Sequence, residues 1–188
     1  MQYIENISIY THEVKRSKFI AHLIPYEIYE STLKSLKQEH PKARHFVSAF
    51  RYFNEYDQIL EGSSDDGEPK GTSGKPSLMV LQGHELINSA VIIVRYFGGT
   101  KLGTGGLVRA YGDAVNLALD ETPLKEYKKE ICKTISVRYG DIRFIDYECE
   151  TLGVSIVDKI FETDVVYKIK ASEDSMNVFL EKVQRVAN

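Results

Sequence analysis

Two short segments concentrate the residue types that do chemistry. The first runs Asp65-Asp66-Gly67-Glu68-Pro69-Lys70-Gly71-Thr72-Ser73-Gly74-Lys75-Pro76. Asp65, Asp66 and Glu68 stand close enough in sequence to hold a hard cation such as Mg²⁺. The competing reading is a solvated polar loop. A P-loop is excluded, because GxxxxGK[ST] ending at Gly74-Lys75 needs Gly at 69 and Ser or Thr at 76, and both are proline. The second segment is Arg95-Tyr96-Phe97-Gly98-Gly99-Thr100-Lys101-Leu102-Gly103-Thr104-Gly105-Gly106-Leu107-Val108-Arg109-Ala110-Tyr111. An apolar strand runs into glycines and then a helical pattern. Free N–H groups at a helix start attract anions, and glycine lets them come close. Gly98, Gly99, Gly103, Gly105 and Gly106, with Arg95, Lys101 and Arg109, therefore read as an anion or phosphate site. The dinucleotide fingerprint fails, since Val108 stands where its last glycine belongs. A tight turn alone would also use glycine.

The remaining chemistry-bearing residues are sparse. His45 sits in an alternating stretch with no serine or cysteine elbow beside it, so a surface or structural role competes with a functional one. His12, His40 and His84 are too far apart in sequence to suggest a metal site. Cys132 and Cys149 form no CxxC and read as buried free thiols in a reducing compartment. The formal net charge is −3 and neither half of the chain is basic, so any nucleic-acid contact must use a local patch. The N-terminus lacks a signal-peptide pattern, and the longest apolar run, 90–94, is too short to cross a bilayer. A cytoplasmic protein with no membrane partner is expected.

The elements that must position these residues follow from periodicity. Strands are predicted at 3–10, 18–24, 45–53 and 89–96. The last is apolar on both faces, as a buried central strand is. Helices are predicted at 27–40, 77–86 and 105–121, with a surface loop over 62–76. Lys125 to Glu130 reads as a linker between domains at 1–124 and 130–188. The second domain follows βαββα: strands at 131–139, 154–161 and 165–171, helices at 141–152 and 172–186. Gly153 stands where a helix C-cap prefers glycine. The fold class is α+β, and this domain is a ferredoxin-like half-sandwich with its last strand missing.

Taken together, Ser17-Lys18-Phe19-Ile20-Ala21, Ala43-Arg44-His45, the acidic loop and the 94–112 segment resemble the YigZ/IMPACT family. The resemblance covers residues 1 to about 122 and adds Lys18 and His45 to the candidate site. It implies a first domain with the fold of ribosomal protein S5 domain 2 and a second like those at the C-terminus of elongation factor G. The chain has no recognisable nucleophile–base set and no metal motif, and with this resemblance it reads as a non-catalytic binding protein, acting in translation or its regulation through RNA, ribosome or protein contacts. The eukaryotic members act in translational control. The alternative is an enzyme acting on a phosphorylated small molecule or nucleotide. Leu102-Gly103-Thr104-Gly105-Gly106 is similar in shape to the phosphate loop of the GHMP small-molecule kinases, but lacks the hydroxyl pair after its second glycine.

Overall fold

The computed structural model describes residues 1–187 and divides the chain into two compact units, Met1–Tyr127 and Lys128–Asn188. In the first unit the strands are β1 (Gln2–Ile4), β2 (Ser8–Val14), β3 (Ser17–Pro25), β4 (His45–Phe53), β5 (Ile59–Ser64), β6 (Ser89–Tyr96) and β7 (Leu124–Glu126). Its helices are α1 (Tyr29–Glu39), α2 (Gly74–Gly83) and α3 (Gly103–Asp120). Five strands form one antiparallel sheet in the order β2-β3-β6-β4-β5, and β1 pairs with β7 separately.

The central position of β6 follows from its sequence. Ala90 to Val94 are fully buried, and a strand apolar on both faces is stable only between covered faces. On one face Val91 and Ile93, with Val47 and Ala49, pack under Leu81 of α2 and Leu107, Tyr111 and Val115 of α3. On the other, Ala90, Ile92 and Val94 pack with Ile24 and with Leu36 of α1. Each fully buried aliphatic side chain contributes about 2 kcal/mol. The β4 alternation therefore sends His45, Val47, Ala49 and Arg51 to the α2/α3 face.

Several boundaries differ from expectation. The single strand expected over 3–10 is broken by a bend at Asn6 into β1 and β2, which enter different sheets. The expected loop 62–76 is strand up to Ser64 and helix from Gly74. Its middle lies on the surface, with Gly67, Pro69 and Lys70 exposed, but turns Glu68, Thr72 and Ser73 inward, where they are buried. The expected linker is partly structured, as Lys125 and Glu126 belong to β7 and Glu130 opens the next strand.

The second unit contains β8 (Glu130–Val137), α4 (Ile142–Leu152), β9 (Ser155–Phe161), β10 (Val165–Ser172) and α5 (Glu173–Val183). Its antiparallel sheet has the order β8-β10-β9. Ile145 and Cys149 of α4 and Met176 and Phe179 of α5 pack with Ile135, Tyr167 and Ile169. Gly153 ends α4 in the left-handed conformation, φ 66°, where glycine carries no Cβ penalty. The Ser172 hydroxyl caps α5 by accepting from Ser175 N at 3.3 Å. Ala187 makes one antiparallel bridge to Val137 on the outer edge of β8, so that edge is touched but not paired along its length. Both cysteines are free, but only Cys149 is buried; burial pushes its thiol up to about 11. Cys132 is exposed on the outward side of β8, a correction to the expectation of two buried thiols. Among the described residues no helix is long and apolar enough to cross a membrane.

Gly98 shows how closely the glycine turn meets the sheet. A Cβ there would lie 2.1 Å from the backbone carbon of Arg16, in the tight turn between β2 and β3. Gly98 N also donates to Ser17 Oγ at 3.1 Å. Gly98→Ala is expected to cost about 2 kcal/mol through this overpacking, measured as a lower urea midpoint at unchanged slope.

Candidate functional site

Arg95 lies near the C-terminal end of β6, in register with Phe19 of β3 and His45 of β4. These three side chains form one row on the α2/α3 face. Arg95 is only 6% exposed, and a charge so desolvated must be paired. Its Nη1 donates to Glu68 Oε1. The Tyr111 hydroxyl of α3 donates to the same oxygen at 2.8 Å. Burial, then the Glu68 charge, pushes the Tyr111 hydroxyl up, so it stays a donor. The guanidinium lies 5.3 Å from the Phe19 ring centroid and 5.9 Å from that of Phe97, within cation–π range. Its buried Nε has no hydrogen-bond partner.

The acidic loop reaches Arg95 because it satisfies its own backbone. Asp65 Oδ1 accepts from Ser73 N, Ser73 Oγ and Gly74 N at 3.2, 2.7 and 2.8 Å, and Oδ2 accepts from Gly71 N at 2.7 Å. Burial pushes the Asp65 carboxyl up, but these bonds outweigh it and hold it below the usual value. Asp66 Oδ2 accepts from Phe46 N, and the Asp66 carbonyl accepts from His45 Nδ1 at 2.7 Å. That bond fixes the proton on Nδ1 and turns Nε2 toward Glu68, 3.9 Å from Oε1. The three carboxylates thus diverge to three different tasks. The expected Mg²⁺ cluster of Asp65, Asp66 and Glu68 is not formed, and among the described residues no group of three His, Cys, Asp or Glu side chains could hold a metal.

In front of this row is a cleft of about 440 Å³, lined by Arg44, His45, Glu68, Arg95, Phe97, Lys101, Gly103 and Thr104, among others. It opens on the first turn of α3, which has no capping side chain and no acidic residue. The positive end of an 18-residue helix is therefore left uncompensated toward the cleft. Gly99 and Gly103 have φ of 88° and 73°, which the backbone path requires. Gly105 has neither a positive φ nor any atom near a built Cβ. Nothing in the fold requires glycine there.

The sequence-predicted residues divide. Arg95, Lys101, Gly103, His45 and Glu68 line the cleft. Gly98 serves the sheet, and a Cβ at Gly106 would crowd Leu102 at 3.1 Å. Arg109 lines a separate hollow with Lys15 and Asp113, and not the cleft. Two residues beyond Leu107, which does line the cleft, it stands about 200° round the helix. Lys18 is exposed and pairs with Glu13 at 3.2 Å, outside the cleft. Arg44 and Phe97 were missed. The Arg44 guanidinium lies 5.9 Å from the Phe97 ring centroid, and its N donates to the Arg95 carbonyl at 3.2 Å. The only sequence signal for them was adjacency to His45 and to the glycine run.

The Impact N-terminal domain family model matches residues 15–119, which include every lining residue of the cleft. The chain belongs to the IMPACT family. Among IMPACT proteins, a family member from Haemophilus influenzae is 37% identical over 174 residues, covering 91% of this chain and 84% of that one. The IMPACT family member YigZ of Escherichia coli is 45% identical over 166 residues, covering 84% and 78%. A crystal structure described as that of a hypothetical protein superposes with a TM-score of 0.72 at 31% identity, covering 97% of this chain and 90% of the other.

Two outcomes test this IMPACT site as architecture. Glu68→Ala leaves Arg95 buried and unpaired and should cost about 3–5 kcal/mol; Glu68→Met with Arg95→Met should cost distinctly less, by chemical denaturation. Asp65 stabilises through a depressed native pKa. Its contribution is complete above the unfolded value of 3.8 and is lost as pH falls through the lower native value. Asp65→Asn should therefore narrow the stability gap to wild type on acidification below about pH 4.

Proposed function

We propose that this protein is a non-catalytic binding module that recognises phosphate groups of single-stranded RNA at the cleft in front of α3. The observation that carries this reading is the uncapped α3 start facing a buried guanidinium whose Nε is unpartnered. Free amides and a desolvated cation favour a phosphate over water. Lys101 and Arg44 have no carboxylate partner among the described residues, so the mouth of the cleft is positive although the chain is not. Phe97 is 43% exposed between two guanidiniums, and supplies a face on which a base can stack.

Membership of the IMPACT family supports placing this binding in translation or its regulation, in the cytoplasm, with the ribosome or a protein partner as the larger context. The five-stranded sheet of the first unit supports an S5 domain 2-like reading, and the β8-β10-β9 order supports a ferredoxin-like second unit like the C-terminal domains of elongation factor G. The volume of the cleft also suits a free nucleotide, the ligand of an enzyme acting on a phosphorylated small molecule.

Fluorescence anisotropy with a labelled single-stranded RNA oligomer separates these readings. Affinity should fall as salt rises through counterion release. Lys101→Ala should weaken binding about tenfold or more, as loss of a charge-assisted contact does, with an unchanged melting temperature. Gly105→Ala, at a position where a Cβ meets open space, should stabilise the helix by about 0.5–1 kcal/mol. A nucleotide-dependent melting shift without RNA binding would favour the small-molecule reading. If neither RNA nor nucleotide binds, the phosphate site is refuted.

A further inference from the structure

At the opposite end of β4 and β6 lies a second hollow, of about 350 Å³. Its walls are the rings of Tyr3, Tyr26, Tyr52 and Phe53, and its rim carries Glu5 and Glu27. No Lys, Arg or His lines it. Asn88 builds the floor. Its backbone has φ 49°, its carbonyl accepts from Tyr26 N at 2.9 Å, and its side-chain oxygen accepts from Phe53 N at 3.0 Å. The start of the 26–28 turn and the end of β4 are thereby pinned to one residue, by one bond to its carbonyl and one to its side chain.

The chemistry of this lining is specific. Aromatic faces carry negative quadrupoles and attract cations. Tyr26 and Tyr52 stack with centroids 3.9 Å apart and planes 7° from parallel, a face-to-face arrangement that aromatic pairs usually avoid. Of the two carboxylates, Glu5 holds the Lys125 ammonium at 2.6 Å. Glu27 is exposed and has no ion pair among the described residues. The rim therefore shows one alkylammonium–carboxylate contact already made within the chain and one carboxylate unpaired.

We propose that this hollow is a binding site for an organic cation, a guanidinium or alkylammonium group, held by the Tyr3 and Tyr52 rings and paired with Glu27. The site is independent of the phosphate cleft. The cation can come from a basic side chain of a protein segment or from a free polyamine, and the test distinguishes them.

The full chain is titrated calorimetrically with spermidine, with an arginine-bearing tetrapeptide and with the same peptide carrying citrulline. Both cationic probes should bind and the citrulline peptide should not. Tighter binding of the peptide assigns the site to a protein segment, and tighter binding of spermidine assigns it to a polyamine. Glu27→Gln, a change at an exposed position, should weaken binding about tenfold, the effect of one charged contact. Tyr3→Leu should weaken it as well, while Lys101→Ala leaves it unchanged. Equal binding of the citrulline peptide, indifference to Glu27→Gln, or no binding of either cation would overturn the proposal.

Discussion

The buried pair of Arg95 and Glu68 is the interaction on which this end of the molecule depends. An arginine at the end of a central strand cannot stay charged in a covered sheet without a carboxylate beside it. The carboxylate comes from a loop that is buried only because Asp65 supplies acceptors for its N–H groups. Tyr111 then ties α3 to the same oxygen. One ion pair thus fixes strand, loop and helix relative to each other and presents the helix start to the cleft. Apolar side chains of similar volume could hold three segments together at least as well. What they could not supply is a guanidinium held rigid at a defined place, and so we read the pair as a positioning device.

The two ends of the sheet differ in sign. The end at Arg95 gathers cations and helix amides around a single buried carboxylate. The end at Asn88 gathers aromatic rings and carboxylates with no cation in its lining. A chain with a formal net charge of −3 can therefore offer an anion a local positive surface. Bulk charge governs long-range association, whereas a desolvated site is governed by the few groups that line it.

Much of this was legible wherever the signal was local. The boundaries of β4 and β6 follow directly from alternation and from an unbroken apolar run. Gly153 and Ser172 mark their helix ends by the preferences of caps. β5 was not legible, because an exposed edge strand ending in Gly62, Ser63 and Ser64 carries no apolar period. The acidic loop misled for a related reason. Three adjacent carboxylates suggest one shared task, and only the fold shows each satisfying a different donor. His45 and Arg95 meet through strand register, a property of pairing between distant segments rather than of either segment alone. The resemblance to the YigZ/IMPACT family linked these segments before any geometry did, but the glycine segment read alone gave Arg109 and Arg95 equal standing, and only Arg95 lines the cleft.

The central claim is that the start of α3 is a phosphate site aimed by Arg95. Amide chemical-shift mapping of the labelled full chain during titration with a short single-stranded RNA measures it most directly. The account predicts saturable shifts at Gly103, Thr104 and Gly105, together with the Arg95 Nε–H signal, and their loss in Lys101→Ala. Binding that moves only amides of the second unit, or leaves those of 103–105 in place at saturation, would contradict it.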